Sequence, residues 1–155
     1  MRVLLQRVVR AEVTVDGEPV GAIGRGFLLL VGVGHGDGDG EATLLAGKVA
    51  HLRLFDDAAG RMNRSALDLL AAGEEVGMLV VSQFTLYADV RRGRRPSYAG
   101  ASPPPLAAPL VDHFGGALRG LGLRVAEGRF GAEMAVSLVN DGPVTLWLDS
   151  ADLRG

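Results

Sequence analysis

The run Phe27-Leu28-Leu29-Leu30-Val31-Gly32-Val33 contains no polar side chain, and this constrains the fold more than any other feature of the chain. A strand with one wet face alternates apolar and polar residues, whereas a strand covered on both faces reads as a continuous apolar run. Val76-Gly77-Met78-Leu79-Val80-Val81 is a second such run and is predicted to be a buried central strand leading into Ser82-Gln83-Phe84. A sheet buried on both sides needs other layers packed against it, which points to an α/β architecture.

The flanking segments supply those layers. Val3–Val9 and Ala11–Val15 read as strands, and Asp16-Gly17 is a strong hairpin turn with Pro19–Ile23 returning from it. Two helices are predicted. The first runs from Glu41 to His51, with Ala42, Leu45 and Val49 at helical spacing and acidic Asp39 and Glu41 at its positive end. The second follows Ser102, read as its cap, and the prolines Pro103, Pro104 and Pro105 that a first turn tolerates. Its apolar stripe is read as Leu106, Leu110, Phe114, Ala117 and Leu121, ending at Gly120 or Gly122. Leu52–Phe55 is strand-like, and three further strands follow at Arg124–Glu127, Met134–Val139 and Val144–Asp149, the last two separated by Asn140-Asp141-Gly142-Pro143. There is no repeat and no linker, so the expectation is one domain with a mixed sheet over residues 1–155.

Composition narrows the chemistry. With no cysteine, thiol nucleophiles, disulfides and cysteine-based metal sites drop out together. His35, His51 and His113 are too scattered to form a histidine metal pair or to support a serine–histidine arrangement. The opening Met1-Arg2-Val3-Leu4-Leu5-Gln6-Arg7 lacks a signal-peptide layout and no apolar run reaches membrane-spanning length, so the expected location is the cytoplasm. A net charge of −2 speaks against coating long nucleic acid, but not against gripping an RNA end. Arg91, Arg92, Arg94 and Arg95 put four arginines within five residues, a local positive charge that the total conceals.

The loop Gly32-Val33-Gly34-His35-Gly36-Asp37-Gly38-Asp39-Gly40 imitates a dinucleotide-binding fingerprint. Its third glycine falls out of register, at Asp37 or Asp39, and two carboxylates there would repel a pyrophosphate. It fails as an EF-hand too, with Ala42 where glycine is required. A solvated connection is the better reading, and Asp56-Asp57 likewise reads as a turn.

Ser82-Gln83-Phe84-Thr85-Leu86-Tyr87 is different. A buried strand delivers hydroxyls, an amide and an aromatic ring to its end, the place where α/β sheets commonly bind ligands. With the arginine cluster close behind, this is a candidate grip on an RNA end. A polar, solvated exit turn is the competing reading.

Ser82-Gln83-Phe84-Thr85-Leu86 and Asn140-Asp141-Gly142-Pro143-Val144-Thr145 together closely resemble the two signature motifs of the D-aminoacyl-tRNA deacylases. Met1–Val8, Arg94-Arg95-Pro96-Ser97 and Phe130-Gly131-Ala132-Glu133-Met134 resemble that family as well, and only residues 150–155 read as a variable tail. The resemblance implies a homodimer on a mixed, barrel-like β-sheet with two helices. It implies an ester hydrolase that releases D-amino acids, and glycine mischarged on tRNA(Ala), from the tRNA acceptor end in translation proofreading. No metal, cofactor, membrane or DNA enters that expectation. Thr85, Gln83 and Ser82 take the catalytic positions, and Phe84 and Met134 contact the substrate. Gly142 and Pro143 form a Gly–cis-Pro dipeptide that reaches the partner's pocket and blocks L side chains. Arg91, Arg92, Arg94 and Arg95 are assigned to tRNA. A non-catalytic nucleotide- or RNA-end-binding protein on the same fold is the alternative.

Overall fold

The structure is a computed structural model that describes residues 1–154. Strand β1 (Arg2–Val15) turns at Asp16-Gly17, whose φ values of +50° and +77° suit the mirror-image turn that matches strand twist, and β2 (Glu18–Ile23) returns antiparallel. Strand β3 (Gly26–Gly32) pairs antiparallel with the first half of β1. After helix α1 (Asp39–His51), the short strands β4 (Phe55–Asp56) and β5 (Met62–Arg64) form a separate hairpin, followed by helix α2 (Ala66–Ala71). Strand β6 (Gly77–Ser82) lies parallel to β3 and leads into a 3₁₀ turn at Phe84–Tyr87. Helix α3 (Pro104–Gly120) then precedes β7 (Arg124–Glu127), parallel to β6, and β8 (Ala135–Asp149), antiparallel to β1.

The main sheet runs β2-β1-β3-β6-β7, with β8 added on β1. Its ends curl together: Gly21 of β2 sits against the Glu127 main chain of β7, where a Cβ would collide with the carbonyl. A nearly closed, barrel-like mixed sheet results within a single α/β domain. The continuous apolar runs have the predicted cause. In β3, Phe27 and Leu29 enter one apolar cluster and Leu28 the other; in β6, Met78 and Val80 are opposed to Leu79 and Val81. Helices α1 and α3 cover the first cluster through Leu45, Val49, Leu110, Phe114 and Leu118, while the second fills the curl of the sheet. Truncating fully buried Phe114 to alanine is expected to cost about 3–5 kcal/mol.

Several sequence expectations need correction. The described residues form three α-helices, not two: α2 is capped by Ser65, whose hydroxyl accepts from the Asp68 N–H while the Asp68 carboxylate accepts from the Ser65 N–H. Helix α1 begins at Asp39, with Glu41 reaching back to the Gly38 N–H at 2.7 Å. Pro103, not Ser102, occupies the cap position of α3, and the buried face is Ala107, Leu110, Val111, Phe114 and Leu118, leaving Leu106 and Leu121 exposed. The strand expected at Leu52–Phe55 is confined to Phe55–Asp56. The two last strands are one. Pairing with β1 passes from Gln6↔Thr145 to Val8↔Asn140, so Asp141–Val144 bulge out opposite Arg7. Ser150–Leu153, in the expected tail, forms a 3₁₀ turn with Ser150 buried; Gly155 lies outside the described residues.

Candidate functional site

The parallel strands β3 and β6 end side by side, and the Gln83 N–H continues their ladder by donating to the Val31 carbonyl at 2.8 Å. Beyond that point the chain closes into the 3₁₀ turn, with Leu86 N–H on the Gln83 carbonyl and Ala88 N–H on the Thr85 carbonyl. The Phe84 and Thr85 N–H groups open this turn and have no partner inside it, as at any helix start. Ser82, Gln83 and Phe84 face a cavity of about 390 Å³. Apart from Ser102, its remaining wall is apolar, including Val31 and Val33 from the end of β3, Pro104, Ala107 and Val111 from α3, and Phe130 from the loop before β8. Phe84 is 57% exposed at the mouth, and Tyr98 meets it in a T-shaped pair, centroids 5.0 Å apart and planes at 77°.

Thr85 lies just outside the cavity wall, its hydroxyl accepting from the Gln83 side-chain amide. An amide donor cannot remove a proton, so it does not activate the hydroxyl. The three histidines are engaged elsewhere: His35 with the Ala99 carbonyl, His51 with the Gly47 carbonyl and His113 with Thr43. Met134 is half-buried beside the second apolar cluster, its Sδ accepting from the Arg129 N–H at 3.4 Å. Gly142 and Pro143 are exposed on the β8 bulge, outside the cavity wall, and the bond between them is cis. Asp141 pairs with Arg7 Nε at 3.0 Å, and the Asn140 amide donates to the Arg7 and Val144 carbonyls at 2.9 and 3.1 Å, so polar ties hold both ends of the bulge.

The arginines sit on a lobe closed at its base by reciprocal main-chain hydrogen bonds between Asp89 and Ser97, 2.7 and 2.9 Å. Arg91 is committed within it, donating through Nε and Nη2 to both Asp89 oxygens at 2.9 and 2.7 Å. The Arg91 side-chain hydrogen bonds hold the Asp89 carboxyl down at about 2. Arg92, Arg94 and Arg95 are exposed and have no carboxylate partner among the described residues.

A second, polar cavity of about 460 Å³ lies near Tyr87. Its charges cancel internally: the Met1 ammonium pairs with Asp37, Arg2 with Asp149 and Arg154 with Glu41. Burial, reinforced by Asp37, pushes the Tyr87 phenol above its usual range, so it stays a neutral donor beneath the Arg2 guanidinium. This cavity braces the Gly-rich loop and offers a ligand no free charge. The sequence reading missed Phe130, Tyr98 and the α3 wall of the apolar cavity. For the first two a signal existed, an aromatic beside a glycine turn and an aromatic beside the arginine cluster.

Fold and site together define an α/β protein with an apolar pocket at the ends of parallel strands, an aromatic ring at its mouth and a basic lobe beyond. Residues 4–149 match the family model described as D-Tyr-tRNA(Tyr) deacylase, and the chain belongs to that family. The D-aminoacyl-tRNA deacylase of Thermomicrobium roseum is 64% identical over 155 residues, covering 100% of this chain and 97% of the relative. Among solved structures, the c-Myc DNA unwinding element binding protein is 38% identical with a TM-score of 0.86, over 96% of this chain and 98% of that one. A probable eukaryotic D-amino acid tRNA deacylase shares the fold at 19% identity, with a TM-score of 0.76 over 95% and 97% of the two chains. Among the described residues, no helix is long and apolar enough to cross a membrane.

Proposed function

We propose that this chain hydrolyses the ester linking a D-amino acid to the 3′ end of its tRNA, and that it works as a cytoplasmic homodimer in translation proofreading. The observation that carries the reading is the Ser82–Phe84 strand end opening onto a largely apolar cavity, with Phe84 at its mouth and Thr85 just outside, in a chain of this family. An adenine fits an apolar pocket edged by an aromatic ring, and the arginine lobe can meet the phosphates that follow. With the adenosine seated, the ester lies by the opening N–H groups of the 3₁₀ turn. Those of Phe84 and Thr85 can donate to the oxyanion formed when water adds to the carbonyl. The C–O bond to the ribose then breaks, leaving a free D-amino acid and a 3′-terminal hydroxyl. The neighbouring ribose hydroxyl assists the water, and Thr85, held by Gln83, positions rather than attacks.

Chirality is read in this proposal by Gly142 and Pro143, entering from the partner subunit. Their main-chain carbonyls hold the substrate ammonium, and the dipeptide occupies the direction an L side chain would take. Glycine has no side chain to exclude, so glycyl-tRNA(Ala) would also pass. The exposure of the bulge supports a role between subunits, as do exposed Val9, Val139 and Trp147 on the adjoining strands. Met134 would act from behind the Gly128–Phe130 segment that carries part of the cavity wall.

The test is release of amino acid from D-Tyr-tRNA, L-Tyr-tRNA and Gly-tRNA(Ala) without added metal. Faster release from the first and third, with the second untouched, is expected. The name of the solved relative that binds a DNA element favours a second reading, a nucleic-acid-end binder without catalysis. Tight binding of tRNA with no release from any substrate would establish that reading instead.

A further inference from the structure

We infer that Tyr98 forms a second base subsite, taking the nucleotide that precedes the terminal adenosine of a single-stranded RNA 3′ end. The inference rests on the reading that the Phe84 cavity holds that adenosine. Tyr98 is 39% exposed and its ring lies against Phe84 with centroids 5.0 Å apart. A second aromatic at the mouth of an apolar cavity is more than closure requires, since packing alone would bury it. Its place in the chain also matters. Tyr98 directly follows Ser97, which closes the base of the arginine lobe on Asp89, so it joins the cavity mouth to the base of the lobe that carries the unpaired Arg92, Arg94 and Arg95. A strand leaving the cavity toward those arginines passes Tyr98 first.

The ring planes meet at 77°. Two bases stacked one on each ring would therefore be turned by a similar angle, so the site cannot accept a continuous helical stack. It selects an end whose last two bases are splayed apart, the form in which proteins read single-stranded RNA. The Tyr98 ring packs edge-to-face on Phe84, and its carbonyl accepts from the Ala101 N–H at 3.0 Å outside the reacting turn, so the subsite should bind without controlling the chemistry.

Calorimetric titration of unacylated ligands separates this inference from the catalytic proposal, because it needs no turnover. The wild-type protein should bind the trinucleotide CCA more tightly than adenosine monophosphate. Tyr98→Ala should remove about ten-fold of the CCA affinity, the size of one stacked base, and leave adenosine monophosphate unchanged. Tyr98→Phe should restore CCA binding. Equal loss for both ligands would show that Tyr98 serves only to place Phe84 and would overturn the subsite. So would no loss for either, or a wild type that does not prefer CCA. Failure to release D-tyrosine from D-Tyr-tRNA would instead defeat the catalytic proposal and leave this binding result standing.

Discussion

Gly32 and Gly142 each stand beside a segment of the proposed active site, and adding a methyl group meets opposite surroundings at the two. At Gly32, the end of β3, a Cβ would lie 3.0 Å from the Gln83 carbonyl, 3.1 Å from Leu86 and 3.3 Å from the Tyr87 ring. At Gly142 the nearest atom is Asn140 Oδ1 at 3.5 Å, an ordinary contact, and the backbone is not left-handed. The fold needs the first glycine so that the 3₁₀ turn can sit tightly on the strand end. It has no such need of the second, and the space there is free for something outside the subunit. The strand-end half of the site is thus built by the core, whereas the bulge is anchored by Val144 and a few polar ties and presents Asp141, Gly142 and Pro143 to solvent.

The largest expected effect breaks or sharpens this contrast directly. Gly142→Ala should leave thermal unfolding unchanged, yet lower kcat/KM on D-aminoacyl-tRNA by about 100-fold, as small displacements at a reacting centre do. Gly32→Ala should behave in the reverse order. Overpacking of about 1–3 kcal/mol should lower the melting temperature by several degrees, with activity following the displaced turn. Full activity in Gly142→Ala would remove the bulge from the substrate's path, and a large fall in its melting temperature would remove the contrast itself.

Next in size is Thr85, on the core-built side. If it positions the substrate, Thr85→Ala should lose about 10- to 100-fold in rate, or about 1.4–2.7 kcal/mol, with Thr85→Ser recovering part of it. Quenched turnover analysed by mass spectrometry should find no acyl group on the protein. A Thr85 ester, or complete loss of activity, would make it the nucleophile despite the lack of a neighbouring base.

The same division explains what could be read in advance. β3 and β6 were legible because burial on both faces leaves a local trace in residue type, and Asp16-Gly17 because its turn requires positive φ. Helix α2 was not, since six residues with only Ala66 and Leu69 buried cannot show a helical period; its visible trace was the capping pattern from Ser65 to Asp68. The face of α3 was misjudged because apolar Leu106 and Leu121 sit exposed at its ends, and stripe-reading from composition cannot tell them from core. The unity of β8 depends on pairing with distant β1, and the cavity on Phe130 and α3 approaching Ser82, neither of which leaves a local mark. Ser82, Gln83 and Phe84 do meet at that cavity, because a strand end delivers consecutive residues to one place.

The smallest effects belong to the lobe, where four similar arginines are not equivalent. Arg91 is already neutralised by Asp89, so it should contribute little to phosphate binding, whereas Arg92, Arg94 and Arg95 are free. Replacing two of the free arginines should lower the logarithmic salt slope of tRNA binding by about 0.7–0.9 for each phosphate that is no longer neutralised. Arg91→Ala should leave the slope almost unchanged, apart from any loosening of the lobe. The Asp89 carboxyl is held down at about 2 from a usual 3.8, so the pairing is complete above the unfolded value and lost only as pH falls through the folded one. The wild-type slope should therefore be the same at pH 8 and about pH 5.5, where Asp89 remains charged in either state. If instead Arg91→Ala lowers the slope as much as Arg94→Ala does, Arg91 leaves Asp89 to bind RNA, and the lobe is a rearranging surface, not a preformed one.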